Sequence, residues 1–305
     1  MQKQYVCFIK HFNKIPVIIA LSVILVILAS FSGCTSHEPA SRQYSVAEDG
    51  RLTLNFSESP VSTSIIEKNA NYTIERLVFH TPHGEVYGIL GIPNNKTIAG
   101  FVHAPGAGVK KEGHINRMKP YLQSGYSYLV LDIRGQGGET EGYPLDFKLD
   151  FQKFANQGFP QYYDNILDML EAAQYLRDRT QVPVMYIGAS NGGRYAIIAA
   201  ALDSASRGVI AVSTSGFDRE GDQYTGIQRK FLLSIDPDTY LSLISPRNTF
   251  IFHSKTDPII PFDSGTKLFS YAKDPKEFLT FNGTHGINEE TDQLILQRLA
   301  QLYHN

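Results

Sequence analysis

The stretch Gly188-Ala189-Ser190-Asn191-Gly192 reads G-x-S-x-G, and the residues around it decide the fold. A short, mostly apolar run precedes it at residues 182–187, and an alanine-rich run follows it at residues 194–202. The first run is typical of a buried parallel strand and the second of a packed helix. A serine at the tip of a sharp strand-to-helix turn needs small neighbours, which the two glycines provide. The alternative is a glycine-rich turn whose serine only caps the helix.

Strand-like and helix-like segments alternate along most of the chain. Residues 72–80 and 84–92 alternate polar and apolar side chains around a Pro-His-Gly turn, which predicts an antiparallel hairpin. Apolar strand patterns, each followed by a loop or a helix, then occur at residues 98–103, 126–132, 182–187, 208–213 and 248–253. Residues 276–281 read as the last strand and residues 289–302 as the closing helix. Continuous apolar runs separated by helices predict an α/β protein with a parallel sheet that is covered on both faces.

An antiparallel start followed by parallel strands is the architecture of the α/β-hydrolase fold, in which the elbow serine follows the third parallel strand. The chain resembles α/β-hydrolases over nearly all of residues 70–305. The stretches Leu131-Asp132-Ile133-Arg134-Gly135-Gln136-Gly137 and Asp236-Pro237-Asp238-Thr239-Tyr240-Leu241 resemble the branch that contains dienelactone hydrolases, acetyl xylan esterases and prolyl oligopeptidases. The resemblance implies an α/β-hydrolase fold with a mostly parallel central sheet, helices on both faces and a small lid at about residues 217–244.

The resemblance also implies a catalytic triad in the chain order Ser, Asp, His, and the sequence has a residue for each role. Ser190 is the expected nucleophile. Asp257 follows a strand in what resembles the acid turn of the family, and Asp218, after the preceding strand, is the alternative position that some lipases use. Of the nine histidines, only His285 and His304 lie beyond Asp257. Because His285 falls in the glycine-flanked loop after the last strand, it is the expected base.

Two backbone N–H groups are expected to form an oxyanion hole. Asn191 follows the nucleophile and supplies one of them. The loop after the first parallel strand supplies the other, and the match of Pro-Gly-Ala to the His-Gly-x motif of the family points to Ala107. This loop also fits a simple glycine-rich connection. The chemistry needs neither a metal nor an organic cofactor.

The first 34 residues have a different character from the rest. Three lysines precede an apolar run at residues 15–31, and small residues then lead to Cys34. This pattern resembles the lipobox of bacterial and archaeal lipoproteins, although Phe31 replaces the usual aliphatic residue. The resemblance implies a signal peptide at residues 1–33, lipidation of Cys34 and an extracytoplasmic protein that is anchored to the cell membrane. The alternative is an uncleaved N-terminal helix that spans the membrane.

Composition sets further limits. The 305 residues carry a formal net charge of −2 with no basic run, which argues against a nucleic-acid partner. The two cysteines, Cys7 and Cys34, belong to the leader or its end, so the mature domain has no disulfide or thiolate metal site. We therefore expect a polar linker at residues 34–50 and a single hydrolase domain at residues 51–305.

Three functions remain open at this point. The first is a serine hydrolase that cleaves carboxylic esters of small to medium acyl groups, with a small-molecule ester as its partner. The second is a peptidase of the prolyl oligopeptidase type, although the chain lacks room for the propeller of that family. The third is a surface-binding lipoprotein without activity. The aromatic residues of the long segment at residues 139–161 fit either a wall of the acyl pocket or ordinary packing on the sheet.

Overall fold

Residues 43–304 of the chain are described by a computed structural model. Its strands are β1 (Tyr44–Val46), β2 (Leu52–Leu54), β3 (Val61–Lys68), β4 (Tyr72–Thr81), β5 (Gly84–Pro93), β6 (Ala99–Ala104), β7 (Tyr126–Leu131), β8 (Val184–Ala189), β9 (Gly208–Val212), β10 (Asn248–Ser254) and β11 (Lys276–Phe281). Its helices are α1 (Ile115–Gln123), α2 (Phe147–Ala155), α3 (Gln161–Thr180), α4 (Asn191–Leu202), α5 (Gly226–Ser234), α6 (Leu241–Ile244), α7 (Phe262–Ser270) and α8 (Glu289–His304).

Nine strands form one sheet in the order β11-β10-β9-β8-β6-β7-β5-β4-β3. The strands β3, β4 and β5 are antiparallel, and β5 also pairs antiparallel with β7. From β7 to β11 every neighbouring pair is parallel. This topology confirms the predicted α/β-hydrolase fold, and β8, which leads to Ser190, is the third parallel strand in chain order.

Helices cover both faces of the sheet. Successive residues of a strand point to opposite faces, so each parallel strand contributes apolar side chains to both layers of the core. In β6, Val102 belongs to one buried cluster and Phe101 to the other. The first cluster includes Ile166 of α3, and helix α4 packs in the same layer. The second cluster includes Met118 of α1 and Ile295 of α8. The parallel strands are therefore buried on both sides, as their continuous apolar sequences predict.

The N-terminal part of the domain begins earlier than expected. The predicted linker extends to residue 50, but β1 starts at Tyr44 and pairs with β2. The Tyr44 ring lies 5.4 Å from the ring of Phe159 and 5.1 Å from that of Tyr163, between ring centroids. This aromatic packing orders a stretch whose polar sequence resembles a spacer.

The segment at residues 217–244, predicted as a lid, holds helices α5 and α6. Its Phe231 and Tyr240 are buried in the main core. The Asp236 carboxylate accepts hydrogen bonds from the N–H groups of Phe217 and Arg219 at 3.0 and 2.8 Å. The second half of this segment is therefore part of the core, and it holds the loop after β9 in place.

The predicted signal peptide and Cys34 lie outside the described residues. Within residues 43–304, no helix is both long enough and apolar enough to cross a membrane.

Candidate active site

Ser190 occupies a strained turn between β8 and α4. Its backbone has φ 54° and ψ −123°, a conformation that L-residues rarely adopt and that costs about 1–3 kcal/mol. A Cβ atom at Gly188 would lie 2.3 Å from the carbonyl oxygen of Gly192, and one at Gly192 would lie 2.0 Å from that of Ala104. Both positions therefore require glycine. The geometry is that of an elbow that lifts the serine side chain away from both elements, and Ser190 is accordingly partly exposed.

Neighbouring strands hold this turn. The N–H of Ser190 donates to the carbonyl of Val212 at 2.9 Å, and the hydroxyl of Thr214 donates to the carbonyl of Ser190 at 2.7 Å. Both partners belong to the end of β9 and the loop after it. The strained backbone is thus fixed before any substrate binds.

Asp257 and His285 form a hydrogen-bonded pair across 28 residues of sequence. His285 Nδ1 lies 2.8 Å from Oδ2 and 3.0 Å from Oδ1 of Asp257. Asp257 Oδ1 also accepts the N–H groups of Ile259 and Ile260, each at 2.9 Å. Burial alone would raise the pKa of Asp257, but the Ile260 N–H, the His285 imidazole and the Ile259 N–H together hold that pKa below its ordinary value. Because an ionised carboxylate only accepts hydrogen bonds, Nδ1 of His285 carries the proton and Nε2 is free to accept one.

The three residues of the expected triad follow parallel strands and so emerge at the same edge of the sheet. Ser190 follows β8, Asp257 follows β10 and His285 follows β11. Ser190 Oγ and His285 Nε2 form no hydrogen bond with each other or with any other residue among 43–304. In resting enzymes this bond is often long and tightens only when substrate binds.

Asp218, the alternative acid, is placed differently. Its side chain is 61% exposed and pairs with Lys267 at 3.0 Å. Within the described part of the chain, the carboxylate that His285 contacts is that of Asp257.

The loop after β6 lies against the nucleophile. A Cβ atom at Gly106 would lie 3.4 Å from Cβ of Ser190, so the backbone of this loop borders the serine directly. Ala107 is exposed, and no residue in the described chain accepts a hydrogen bond from its N–H. The side chain of Asn191 turns away from the loop and donates to the Tyr195 hydroxyl at 2.8 Å. The backbone N–H of Asn191, at the first position of α4, is not involved in that contact.

Comparison with known proteins agrees with this geometry. The model of the acetyl xylan esterase family matches residues 62–219, slightly more than half of the chain. The chain belongs to the acetyl xylan esterase family. This confirms the branch that the sequence motifs suggested.

Two acetyl xylan esterases of known structure share the fold. The enzyme from Paenibacillus sp. R4 is 18% identical with a TM-score of 0.68, over 81% of this chain and 90% of that one. Acetyl xylan esterase 1 from Thermoanaerobacterium sp. JW/SL YS485 is 16% identical with a TM-score of 0.65, over 81% and 89%. The uncharacterized protein YfhR of Escherichia coli K12 is 25% identical over 213 residues, and the match covers 63% of this chain and 65%, just under two thirds, of YfhR.

This member of the acetyl xylan esterase family also has a second histidine beside its acidic residue. His253 is fully buried, and its Nε2 donates to the carbonyl of Ile260 at 2.9 Å and lies 3.7 Å from Oδ2 of Asp257. Burial lowers the pKa of His253 and keeps the ring neutral. His253 therefore supports the turn that carries Asp257. Sequence alone does not reveal this role, because a histidine at a strand end has no distinctive pattern.

A buried ion cluster lies next to the loop after β6, and it too has no signal in the sequence. Lys111 is 1% exposed, and its Nζ lies 2.7 Å from Asp132 and 2.6 Å from Glu139. Asp132 also accepts the N–H groups of Lys111 and Glu139, at 2.8 and 2.9 Å. Hydrogen bonds from Arg76 and Lys111 lower the pKa of Glu139 to about 2. The cluster joins the loop after β6 to the loop after β7, and Gln136 adds a hydrogen bond to the N–H of Gly108 at 3.2 Å.

Proposed function

We propose that this chain is a serine hydrolase that cleaves carboxylic esters through a triad of Ser190, His285 and Asp257. The observation that carries the proposal is the contact of one His285 nitrogen with both oxygens of the buried Asp257 carboxylate. The strained turn at Ser190 supports the assignment of the nucleophile. Membership of a family of esterases supports ester hydrolysis over peptide hydrolysis.

The first chemical step is acylation. Nε2 of His285 takes the proton of the Ser190 hydroxyl while Oγ attacks the acyl carbon of the ester. The imidazolium that forms is stabilised by Asp257, which stays ionised because its pKa is low. The protonated His285 then donates its proton to the departing alcohol, and an acyl-enzyme remains.

The oxyanion is held by two backbone N–H groups, those of Asn191 and Ala107. The short distance between the Gly106 backbone and Ser190 supports this assignment because it brings the loop of Ala107 to the nucleophile. Water then enters, His285 removes its proton, and the same steps release the acid. The residues named here perform the whole cycle, without a role for a metal or an organic cofactor.

We infer that the acyl group is small to medium in size. The acetyl xylan esterases named above act, by their names, on acetyl esters of a polysaccharide, which supports an acetyl group as the acyl part. An acetylated carbohydrate is one small-molecule ester of this kind.

We further propose that residues 1–33 are a signal peptide, that Cys34 is lipidated and that the hydrolase domain works outside the cytoplasm on a membrane anchor. The basic, apolar and small residues that precede Cys34 support this. The intact mass of the protein extracted from membranes tests it. We expect the loss of residues 1–33 and the added mass of lipid, and a chain that retains Met1 would contradict the proposal.

Activity is tested with the full-length protein and its Ser190→Ala variant, on 4-nitrophenyl acyl esters and on aminoacyl anilides. We expect turnover of acetyl and butyryl esters by the wild type, none of the anilides, and no ester turnover above background by Ser190→Ala. Ester turnover that persists in the variant would refute the nucleophile. Anilide turnover would favour a peptidase.

A further inference from the structure

Arg194 stands one helical turn beyond the nucleophile. Between Asn191 and Ala200, every residue of α4 is buried except this one, which is partly exposed. Side chains on a helix point back toward its N-terminus, and the N-terminus of α4 is the end that carries Ser190. Arg194 is therefore the residue through which the first turns of α4 contact solvent, and its side chain points toward the helix end that carries Ser190.

Contacts hold the guanidinium in one place. Its Nε donates to the carbonyl of Ser215 at 2.9 Å, and Nη2 lies 3.2 Å from the Ser215 hydroxyl. Ser215 directly follows Thr214, whose hydroxyl bonds the carbonyl of Ser190. Arg194 is thus linked to the nucleophile through a short chain of ordered residues, and its head group is positioned before a ligand arrives.

An aromatic wall borders this guanidinium. Its central carbon lies 4.4 Å from the centroid of the Phe217 ring, and the Phe217 ring meets that of Phe147 edge-on at 5.5 Å. Phe147 is the first residue of α2 and Phe217 lies in the loop after β9, so two separate segments form the wall. Apolar surroundings strengthen the attraction between a fixed cation and an anion, because they screen charge less than water does.

The charge of Arg194 has no counter-ion among residues 43–304. The buried Arg134 pairs with Asp168 and the half-buried Arg177 with Asp203, each at 2.7 Å, whereas the half-buried Arg247 donates to backbone carbonyls instead. A guanidinium has five N–H donors, and the contacts of Arg194 with Ser215 occupy two of them. The remaining donors form the planar fork that matches a carboxylate.

We propose that Arg194 binds a carboxylate of the substrate, so that the preferred ester is one whose acyl or alcohol part carries an acidic group. This deepens the proposed ester hydrolysis and rests on it. The carboxylate sits against the guanidinium and the Phe217 ring while the ester carbonyl is presented to Ser190. Arg194 is a specificity-determining residue and takes no part in the proton transfers.

Two matched pairs of esters test this and separate the two sides of the substrate. On the alcohol side, 4-acetoxybenzoate is compared with neutral 4-acetoxybenzamide. On the acyl side, mono-4-nitrophenyl glutarate is compared with 4-nitrophenyl pentanoate. For each pair we compare kcat/KM for the anionic ester with kcat/KM for the neutral ester. We expect this ratio to fall by about 10- to 100-fold in Arg194→Met for at least one pair, because a charge-assisted hydrogen bond is lost.

The exposed Arg207 supplies the matched control, because it also lacks a carboxylate partner in the described chain. It directly precedes the first residue of β9, whereas Ser190 follows the last residue of the parallel strand β8, so the two residues lie at opposite ends of these strands. Arg207→Met should keep the wild-type ratio. If Arg194→Met does not fold, Arg194→Lys carries the test and should lower the ratio about 3- to 10-fold, because it keeps the charge and loses the fork. A ratio that is the same in wild type and the Arg194 variants for both pairs overturns the proposal.

Binding separates this proposal from the proposed chemistry. Calorimetry with 4-acetoxybenzoate and with glutarate on Ser190→Ala measures recognition without turnover. We expect the added Arg194→Met change to weaken binding of at least one of these anions about tenfold or more, whereas added Arg207→Met leaves it unchanged. If no ester is hydrolysed but anion binding depends on Arg194, the proposed hydrolase activity is refuted and the proposed anion site stands. If anion binding is the same with and without Arg194, the proposed anion site is refuted and the proposed hydrolase activity is unaffected.

Discussion

Replacing Lys111 by Met tests the buried cluster that joins the loops after β6 and β7. The side chains of Lys111 and Asp132 are each 1% exposed and lie 2.7 Å apart. Methionine has a similar length but no charge, so the substitution leaves the Asp132 carboxylate buried without its counter-ion. Removal of one partner from a buried pair costs about 3–5 kcal/mol.

The lower end of this range applies here because Asp132 keeps two backbone N–H donors. A loss of about 3 kcal/mol in the free energy of unfolding lowers Tm by about 6–12 °C in a domain of this size. Glu139 offers a control within the same cluster. Its side chain is 44% exposed, so Glu139→Gln should cost less than about 1 kcal/mol.

Urea denaturation at pH 7, monitored by circular dichroism, measures these differences, and Asp132→Asn together with Lys111→Met/Asp132→Asn completes a double-mutant cycle. The double variant should be more stable than Lys111→Met alone, because no buried charge is left unpaired. A loss of less than about 1 kcal/mol in Lys111→Met, or equal losses in Lys111→Met and Glu139→Gln, would refute this account of the cluster.

Three further outcomes are expected. Asp257→Asn should lower kcat by about 10³- to 10⁴-fold because it disturbs the His285 tautomer, whereas Asp218→Asn should change kcat by less than about threefold. Steady-state kinetics measure both values, and equal losses of kcat in the two variants would contradict the choice of Asp257 as the acid. Gly192→Ala should lose more than about 3 kcal/mol because its Cβ would lie 2.0 Å from a backbone oxygen, while Gly113→Ala, with its nearest contact at 4.0 Å, should lose less than about 1 kcal/mol in the same denaturation assay. Burial and the Asp236 carboxylate raise the pKa of Asp238 to about 8, so the folded state retains a proton that the unfolded state has released, and this group lowers the free energy of unfolding by at most about 1.4 kcal/mol per pH unit as pH rises from about 4 to 8. Burial also raises the pKa of Asp168 to about 6 and that of Glu171 to about 7, so Asp238→Asn should reduce the slope most clearly between about pH 7 and 8, and urea midpoints that keep the wild-type slope there would contradict this role of Asp238.

The sequence predicts the parallel half of the sheet because its strands are buried on both faces and therefore read as continuous apolar runs. It predicts the turn at Ser190 because residues 188 and 192 have no room for a Cβ atom, which fixes glycine at both positions and gives the recognisable G-x-S-x-G pattern. His285 follows by elimination, since few histidines come after Asp257. The roles of these residues in catalysis remain proposals.

Other features leave no such pattern. The strand β3 is largely exposed and polar, so it lacks an apolar run, and Tyr44 is ordered by aromatic rings that lie far away in sequence. Lys111 and Asp132 meet across 21 residues, and neither residue type suggests burial. The contacts of Arg194 with Ser215 and Phe217, beside the turn of the nucleophile, appear only in the folded chain. These features depend on tertiary contacts, which local sequence does not reveal.

Covalent labelling tests the central claim most directly. The full-length protein is treated with a fluorophosphonate, digested and examined by mass spectrometry, with a heat-unfolded sample as the control. We expect one label per native chain, on the peptide that contains Ser190, and none after unfolding, because the reaction needs the elbow, the His285 base and the oxyanion hole together. A native protein that stays unlabelled, or that is labelled at another residue, would contradict it.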